Sequence, residues 1–230
     1  MSAIDDRTRL VLVNAIYFKG DWKKKFDAHQ TTESDFHVSA TETLKVQMMF
    51  MDDEFYYGVN HNIRCQVIEM PYAGDTLSMF VILPDRSTTL AEVEKNLTFD
   101  DLISVREKFR MAFVDVEVWL PKFKMDEMLS LVEALDGLGM KDLFMEGVAD
   151  LSGVDGSCEL YVSKVLHRAV VDVNEEGTEA AAATAMMAMC CSAPLDPNQF
   201  RADRPFLFFI QHKPTQSILF LGRLVKPPSV

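Results

Sequence analysis

The chain has 230 residues and 26.1 kDa, with 48% hydrophobic and 25% charged side chains, a balance that excludes disorder and leaves enough apolar residues for a sizeable core. With 35 acidic against 23 basic side chains the formal net charge is -12, so phosphate backbones and anionic membranes are repelled overall and nucleic acid is not an expected partner. The single basic run, Lys23-Lys24-Lys25, reads as a solvated face and is given no function.

Met1 to Arg7 carry neither the basic n-region nor the apolar h-region of a signal peptide, and no apolar run approaches the roughly 18 residues of a membrane span. Read literally, the chain belongs in the cytosol. Cys65, Cys158, Cys190 and Cys191 lack metal-site spacing and form no disulfide framework, which fits a reducing compartment. The adjacent pair is unsuited to a mutual disulfide, because neighbouring Cα atoms lie about 3.8 Å apart. Neither a metal nor a cofactor is expected. Asn96-Leu97-Thr98 is a glycosylation sequon that matters only after secretion.

Arg9 to Phe18 is a β-branched and aromatic run closed by Lys19-Gly20, which predicts a strand buried on both faces. Asn14 lies in its middle, and a buried Asn needs a polar partner. Further strands are predicted at Leu44 to Phe50, Cys65 to Met70, Leu77 to Leu83 and Phe113 to Leu120. Thr89 to Leu97 and Met128 to Leu138 carry apolar residues at helical spacing. Leu160 to Val173 reads as strand, and Phe206 to Ile210 with Ile218 to Leu221 as an apolar hairpin. Interleaved strands without a repeat or a Gly/Ser linker predict one continuous body.

Between Val173 and Phe206 the chain does not read as core. It runs Asn174-Glu-Glu-Gly-Thr-Glu-Ala-Ala-Ala-Ala-Thr-Ala-Met-Met-Ala-Met-Cys-Cys-Ser192 and then continues to Phe200. Connections beyond about 12–15 residues are usually functional or disordered. Propensity alone favours an Ala-rich helix, yet the run lacks a large-apolar stripe at helical spacing. At period 2, Thr178, Ala180, Ala182, Thr184, Met186 and Ala188 form one face, and Glu179, Ala181, Ala183, Ala185 and Met187 the other. The first face is entirely small or apolar, so such a strand enters an existing sheet without burying a charge. Gly177 just before it supplies backbone freedom.

The stretch from Glu175 to Ala185 resembles the reactive-loop hinge of inhibitory serpins, the serine protease inhibitors. Ala202 to Ile210 and Ile218 to Leu224 resemble the family's closing strands. Leu12-Val-Asn-Ala-Ile-Tyr-Phe-Lys-Gly-Asp-Trp22, Leu120-Pro-Lys-Phe123 and Ala149-Asp-Leu-Ser-Gly153 agree as well. The likeness runs from about Arg7 to Pro227 in family order, and is greatest to the intracellular branch that includes leukocyte elastase inhibitor.

The resemblance implies an α+β fold with a large central sheet, a barrel-like second sheet and helices. It also implies that the N-terminal helical part is absent, so that residues 1–230 make a partial serpin domain with a reactive-centre loop at 174–205. The implied function is suicide inhibition: a serine protease attacks the loop, forms an acyl-enzyme, and the cut loop enters the large sheet as a new strand. Serpin loop insertion is a recognised case of strand addition. The implied partner is an elastase-like or chymotrypsin-like serine protease, with loop-sheet polymerisation as a side reaction. The family spacing puts the reactive bond at Cys191-Ser192, with Met189 or Cys190 as alternatives, and no Lys or Arg lies nearby to suit a trypsin-like enzyme.

The hinge carries over as Glu175, Glu176, Gly177, Thr178, Glu179, Ala180, Ala181, Ala182, Ala183 and Thr184. Glu175 and Lys122, near Trp22, resemble the ion pair where insertion begins. Asn14 and His167 resemble the hydrogen-bonded pair that opens to let the strand pass. No catalytic residue is implied, because the protease supplies the nucleophile. A non-inhibitory carrier or chaperone is the rival, although its bulky or proline hinge residues do not occur between Gly177 and Ala185, where the one charged residue, Glu179, lies on the face opposite the small one. A thiol hydrolase using Cys190 or Cys191 rests on residue types alone. The branch implies the cytoplasm, with the extracellular space left open because the likeness begins partway along the family's length. A separate chain of this extent is expected to leave inner sheet faces uncovered, and an inactive fragment of an inhibitor is the other alternative.

Overall fold

The computed structural model describes residues 8–156, 159–176 and 197–227. In chain order they form β1 (Leu10–Phe18), β2 (Thr32–His37), β3 (Thr43–Asn60), β4 (Cys65–Pro71), β5 (Leu77–Pro84), α1 (Leu90–Asn96), α2 (Phe99–Ile103), α3 (Val105–Lys108), β6 (Ala112–Pro121), β7 (Phe123–Ser130), α4 (Val132–Gly137), α5 (Ser152–Asp155), β8 (Val162–Val173), β9 (Asn198–Arg201), β10 (Phe206–His212) and β11 (Ser217–Leu224). They fall into two compact units, one drawn from Met1–Phe18 and Lys124–Asp172, the other from Lys19–Phe123 and Val173–Val230.

The second unit is built on an eight-stranded sheet of order β11-β10-β5-β4-β3-β6-β9, with β2 added on β3. Its order follows from composition. β5 and β10 are continuous apolar runs, buried from Ser78 to Pro84 and from Phe206 to Gln211, as central strands covered on both faces must be. The edge strand β11 instead alternates, burying Phe220 and Leu224 while Leu219 and Leu221 stay exposed. Gly222 lies opposite Phe208, where a Cβ would stand 2.8 Å from the ring. Phe80 and Phe209 stack with centroids 4.8 Å apart, in a core completed by Val93, Leu102, Val105 and Phe109 from the helical segment.

Local signals place that segment. Thr89 with Glu92 and Thr98 with Asp101 form capping boxes that start α1 and α2, two orphan N–H groups being satisfied reciprocally in each. Thr98 of the sequon is therefore a helix cap. Beneath the segment, Glu69 is buried at 2% exposure, and burial of a carboxylate requires partners. Arg106 supplies a bidentate pair at 2.6 and 2.7 Å, and the Ser78 hydroxyl donates at 2.8 Å. The Arg106 guanidinium also lies 4.1 Å over the Tyr56 ring.

The expected barrel-like closure does not occur: β11 and β9 are ends of an open path. The reason is the 18-residue β3, which pairs with β2 at its start, β6 along its middle and β4 at its end. Partners are spread along one long strand, whereas closure needs a constant tilt and stagger around a ring.

The first unit holds a three-stranded sheet of order β1-β8-β7, so among the described residues the sheet expected to be the larger is the smaller. β1 and β8 run parallel in continuous register from Val11↔Lys164 to Phe18↔Val171. β1 is not buried on both faces: Leu12, Val13, Ile16 and Tyr17 are 43%, 74%, 40% and 57% exposed, and Asn14 is exposed with them. Among the described residues of this unit nothing packs over those side chains, so an apolar run makes a strand without making a core.

The helix predicted over Met128 to Leu138 is shorter. Met128 to Ser130 belong to β7, and only Val132–Gly137 is helical. The Leu131 N–H donates to the Val165 carbonyl at 2.9 Å, which holds the chain to the sheet past the point where the helical spacing begins. Thr32–His37, Asn198–Arg201 and the second half of β3 had no apolar run to announce them.

Replacing Arg106 by Met leaves the Glu69 carboxylate buried without its cation, and urea denaturation should show a loss of about 3 kcal/mol. Adding Glu69→Leu should restore most of it, since an apolar pair of similar volume carries no unpaired charge.

Candidate functional site

β8 ends at Val173, and the three residues after it are held at their root by contacts from far along the chain. The Trp22 indole N–H donates to the Asn174 carbonyl at 2.9 Å, and the Phe26 N–H to the Glu175 carbonyl at 3.1 Å. Trp22 is itself fixed, 3% exposed and stacked on Tyr72 at 4.5 Å with ring planes 9° apart. The Asn174 side chain accepts the Glu176 N–H at 3.1 Å, which begins to turn the chain away from β8.

The Glu175 side chain is 10% exposed and makes an ion pair with Lys122 at 2.8 Å. Its other oxygen accepts the Thr31 hydroxyl at 2.9 Å. Lys122 follows β6 and is pinned by its own N–H, which donates to the Gln47 carbonyl at 2.8 Å. Burial pushes the Glu175 carboxyl up. The Lys122, backbone and Thr31 hydrogen bonds together with the Lys122 charge outweigh it, so the group stays below its ordinary value. It is therefore a carboxylate at neutral pH.

The structure thus brings together Trp22, Lys122, Glu175 and Glu176. Asn14 and His167 meet separately, in the three-stranded sheet, where they are register partners on β1 and β8. Asn14 Oδ1 and His167 Nδ1 lie 3.0 Å apart, so the ring donates from Nδ1 to the amide oxygen. Gly177, Thr178, Glu179, Ala180, Ala181, Ala182, Ala183, Thr184, Met189, Cys190, Cys191 and Ser192 lie outside the described residues.

Three participants at these places had no signal in the sequence. Thr31, 144 residues from Glu175, belongs to a polar stretch like many others, and the Phe26 contribution is a backbone N–H. Asp126 on β7 receives Arg168 of β8 through two bonds, Nε to Oδ1 at 2.7 Å and Nη2 to Oδ2 at 2.5 Å, a pairing that joins residues 42 apart.

Elsewhere the chemistry is quiet. Two cations of the basic run are paired, Lys23 with Asp75 at 2.7 Å and Lys24 with Asp53. The buried Cys65 thiol is pushed up to about 12 by burial and then by the Asp85 charge, so it remains a thiol and a poor nucleophile. Among the described residues no three His, Cys, Asp or Glu side chains converge to hold a metal, and no helix is long and apolar enough to cross a membrane.

The model of the serpin (serine protease inhibitor) family matches residues 1–227. Leukocyte elastase inhibitor A of Mus musculus is 46% identical over 231 residues, covering 99% of this chain and 61% of that protein. Leukocyte elastase inhibitor of Homo sapiens is 46% identical over 228 residues, covering 97% and 60% respectively. Among solved structures, uncleaved ovalbumin superposes with a TM-score of 0.84 at 35% identity over 98% of this chain and 56% of its own. A tumour suppressing serpin superposes at 0.82 with 32% identity, over 99% and 59%. The chain spans about three-fifths of the length of the curated relatives it matches. With the family model covering nearly all of its residues and the same fold returned by solved members, the chain belongs to the serpin family.

Proposed function

We propose that this chain carries the loop and sheet of a protease inhibitor that acts as a suicide substrate, and that its targets are elastase-like or chymotrypsin-like serine proteases. The observation that carries the reading is the continuity of β8 with the anchored root at Glu175 and the small-faced segment beyond it. In this reading residues 1–230 are part of one inhibitor domain, 174–205 is its reactive-centre loop, and the exposed apolar side chains of β1 mark it as partial. Its compartment in this reading is the cytoplasm.

The reaction begins on the protease. Its serine hydroxyl adds to the Cys191 carbonyl, the Ser192 amine leaves with a proton, and Cys191 is left as an ester of the enzyme. A medium-sized apolar side chain at Cys191 suits the pocket of such enzymes. Water would then free both products, unless the inhibitor moves first.

The topology supports one way for it to move. With the chain turning after Glu175, a strand inserted from beyond Gly177 would run back antiparallel to β8, and therefore antiparallel to β1, which is parallel to β8. Between them it would pair on both edges. Admitting one strand widens the β1–β8 spacing by about 4.8 Å, and the Asn14–His167 bond must break. The 14 residues from Thr178 to Cys191 span roughly 45 Å when extended, against about 40 Å for the 12 residues of β8. The esterified end is thus carried the whole length of the strand. Glu175, Trp22, Lys122 and Thr31 fix where the reversal begins.

Incubation of the full-length protein with elastase or chymotrypsin should give a complex that survives denaturing electrophoresis, with loss of protease activity near one to one. Cleavage at Cys191-Ser192 without complex would favour a carrier and end the proposal, as would hydrolysis of an added ester in the absence of protease.

Ala182→Arg places a charge on the entering face, where its burial costs several kcal/mol. Loop cleavage should proceed at its former rate, while the moles of inhibitor consumed per mole of protease rise at least about tenfold.

The Glu175 anchor has a defined pH dependence. Its folded pKa is depressed, so its contribution is full above the unfolded value of about 4.3 and is lost as pH falls through the lower folded value. The gap in unfolding midpoint between the natural protein and Glu175→Gln should be constant from pH 7 to about 5 and close in more acid solution. A gap that widened on acidification would contradict the pairing.

A further inference from the structure

The three-stranded sheet offers two internal gaps, β1/β8 and β8/β7, and an entering strand needs one of them to open while the other holds. Consecutive residues of β8 address the two gaps in turn. His167 and Arg168 project to opposite faces, as neighbours in a strand must. His167 crosses to Asn14 on β1 with one bond at 3.0 Å. Arg168 crosses to Asp126 on β7 with two, at 2.7 and 2.5 Å. The first involves a neutral amide and is single; the second is bidentate and charge-assisted, the stronger class and the more geometrically specific. The Arg168 guanidinium is held above its ordinary value and the Asp126 carboxyl below its own, in each case chiefly by their mutual hydrogen bonds. Just past β7, the Leu131 N–H to Val165 carbonyl bond at 2.9 Å adds a backbone tie on the same side of β8.

We infer that Arg168 and Asp126 form a clamp that makes β7 and β8 travel as one body, so that separation is confined to the β1/β8 gap. Arg168 is a positioning residue that acts through β8. The inference rests on the reading that a strand enters this sheet. Without the clamp, load on β8 is shared between two gaps, the strand peels instead of shifting as a unit, and the loop enters more slowly. Slower entry gives water more time to hydrolyse the ester. The pair is half exposed, with side chains 53% and 41% accessible, and exposed pairs add little to global stability. Its loss should therefore be read in the partition between inhibition and turnover.

In the full-length inhibitor, Arg168→Met and Asp126→Asn should each raise the inhibitor consumed per protease two- to fivefold. The rate of loop cleavage should stay unchanged, and the unfolding midpoint should remain within about 2 °C of the unaltered protein. The exchanged pair, Arg168→Asp with Asp126→Arg, should recover most of the lost efficiency. Single variants that consume no more inhibitor than the unaltered protein would overturn the clamp while leaving the inhibitory reading intact. An equal rise in consumption and fall in midpoint, with no recovery in the exchanged pair, would overturn it in favour of a merely structural role. Absence of any complex from the unaltered protein would overturn the inhibitory reading and the clamp with it.

Discussion

If a strand enters the three-stranded sheet as proposed, parallel pairing between β1 and β8 has to satisfy two demands that pull in opposite directions. Every N–H and carbonyl along that gap must be paired for the sheet to persist, and the register from Val11↔Lys164 to Phe18↔Val171 provides this. Yet the proposed mechanism has those pairings exchanged for pairings to a third strand within the lifetime of an ester. Backbone bonds lost across the gap are regained on both edges of the incoming strand, so the net change favours insertion, and the barrier lies in separating the two strands beforehand. Side chains across that gap should then be modest, and a single Asn14–His167 bond is modest.

The eight-stranded sheet answers a different demand. Its interior is closed by large apolar side chains such as Phe80, Phe206, Phe208 and Phe209, and its buried charges are all spoken for. Glu69 has Arg106 and Ser78, and Asp203, 5% exposed, has Arg86 at 2.6 Å and Arg204 at 2.8 Å. Networks of this kind are costly to disturb once partly broken. The contacts around Glu175 belong to this unit.

Much of this was legible in the chain, and the misses share a cause. Strands whose side chains carry the signal, Cys65–Pro71, Leu77–Pro84 and Phe206–His212, were readable from their unbroken apolar character. Helix α1 was readable from Leu90, Val93 and Leu97 at helical spacing, and the capping box of Thr89 with Glu92 starts it. β2 and β9 escaped because pairing with β3 and β6 makes them strands, and their own residues, Thr-Glu-Ser-Asp-Phe-His and Asn-Gln-Phe-Arg, carry little pattern. β1 misled in the other direction: its composition says buried, and burial depends on what lies above it. At the site, Lys122, Glu175, Asn14 and His167 came from likeness to a family, whereas Thr31 and Asp126 depend on juxtapositions that only three dimensions supply.

In the proposed mechanism, why the root at Glu175 is charged while the entering face beyond it must not be follows from register. A strand has a side-chain period of two, so a slip of one residue turns every side chain to the opposite face. For the stretch after Gly177, the slip exchanges Thr178, Ala180, Ala182 and Thr184 for Glu179, Ala181, Ala183 and Ala185, and puts a carboxylate on the entering face. Small side chains alone do not prevent this, since alanine fits either way. The parity has to be imposed from outside the strand, by an anchor that allows one position only. Glu175 meets that need because Lys122 and Thr31 take separate oxygens of one carboxylate, while Phe26 takes the backbone carbonyl of the same residue. Neutral contacts of equal number would tolerate a shift more readily, because they lack the penalty of stranding a buried charge.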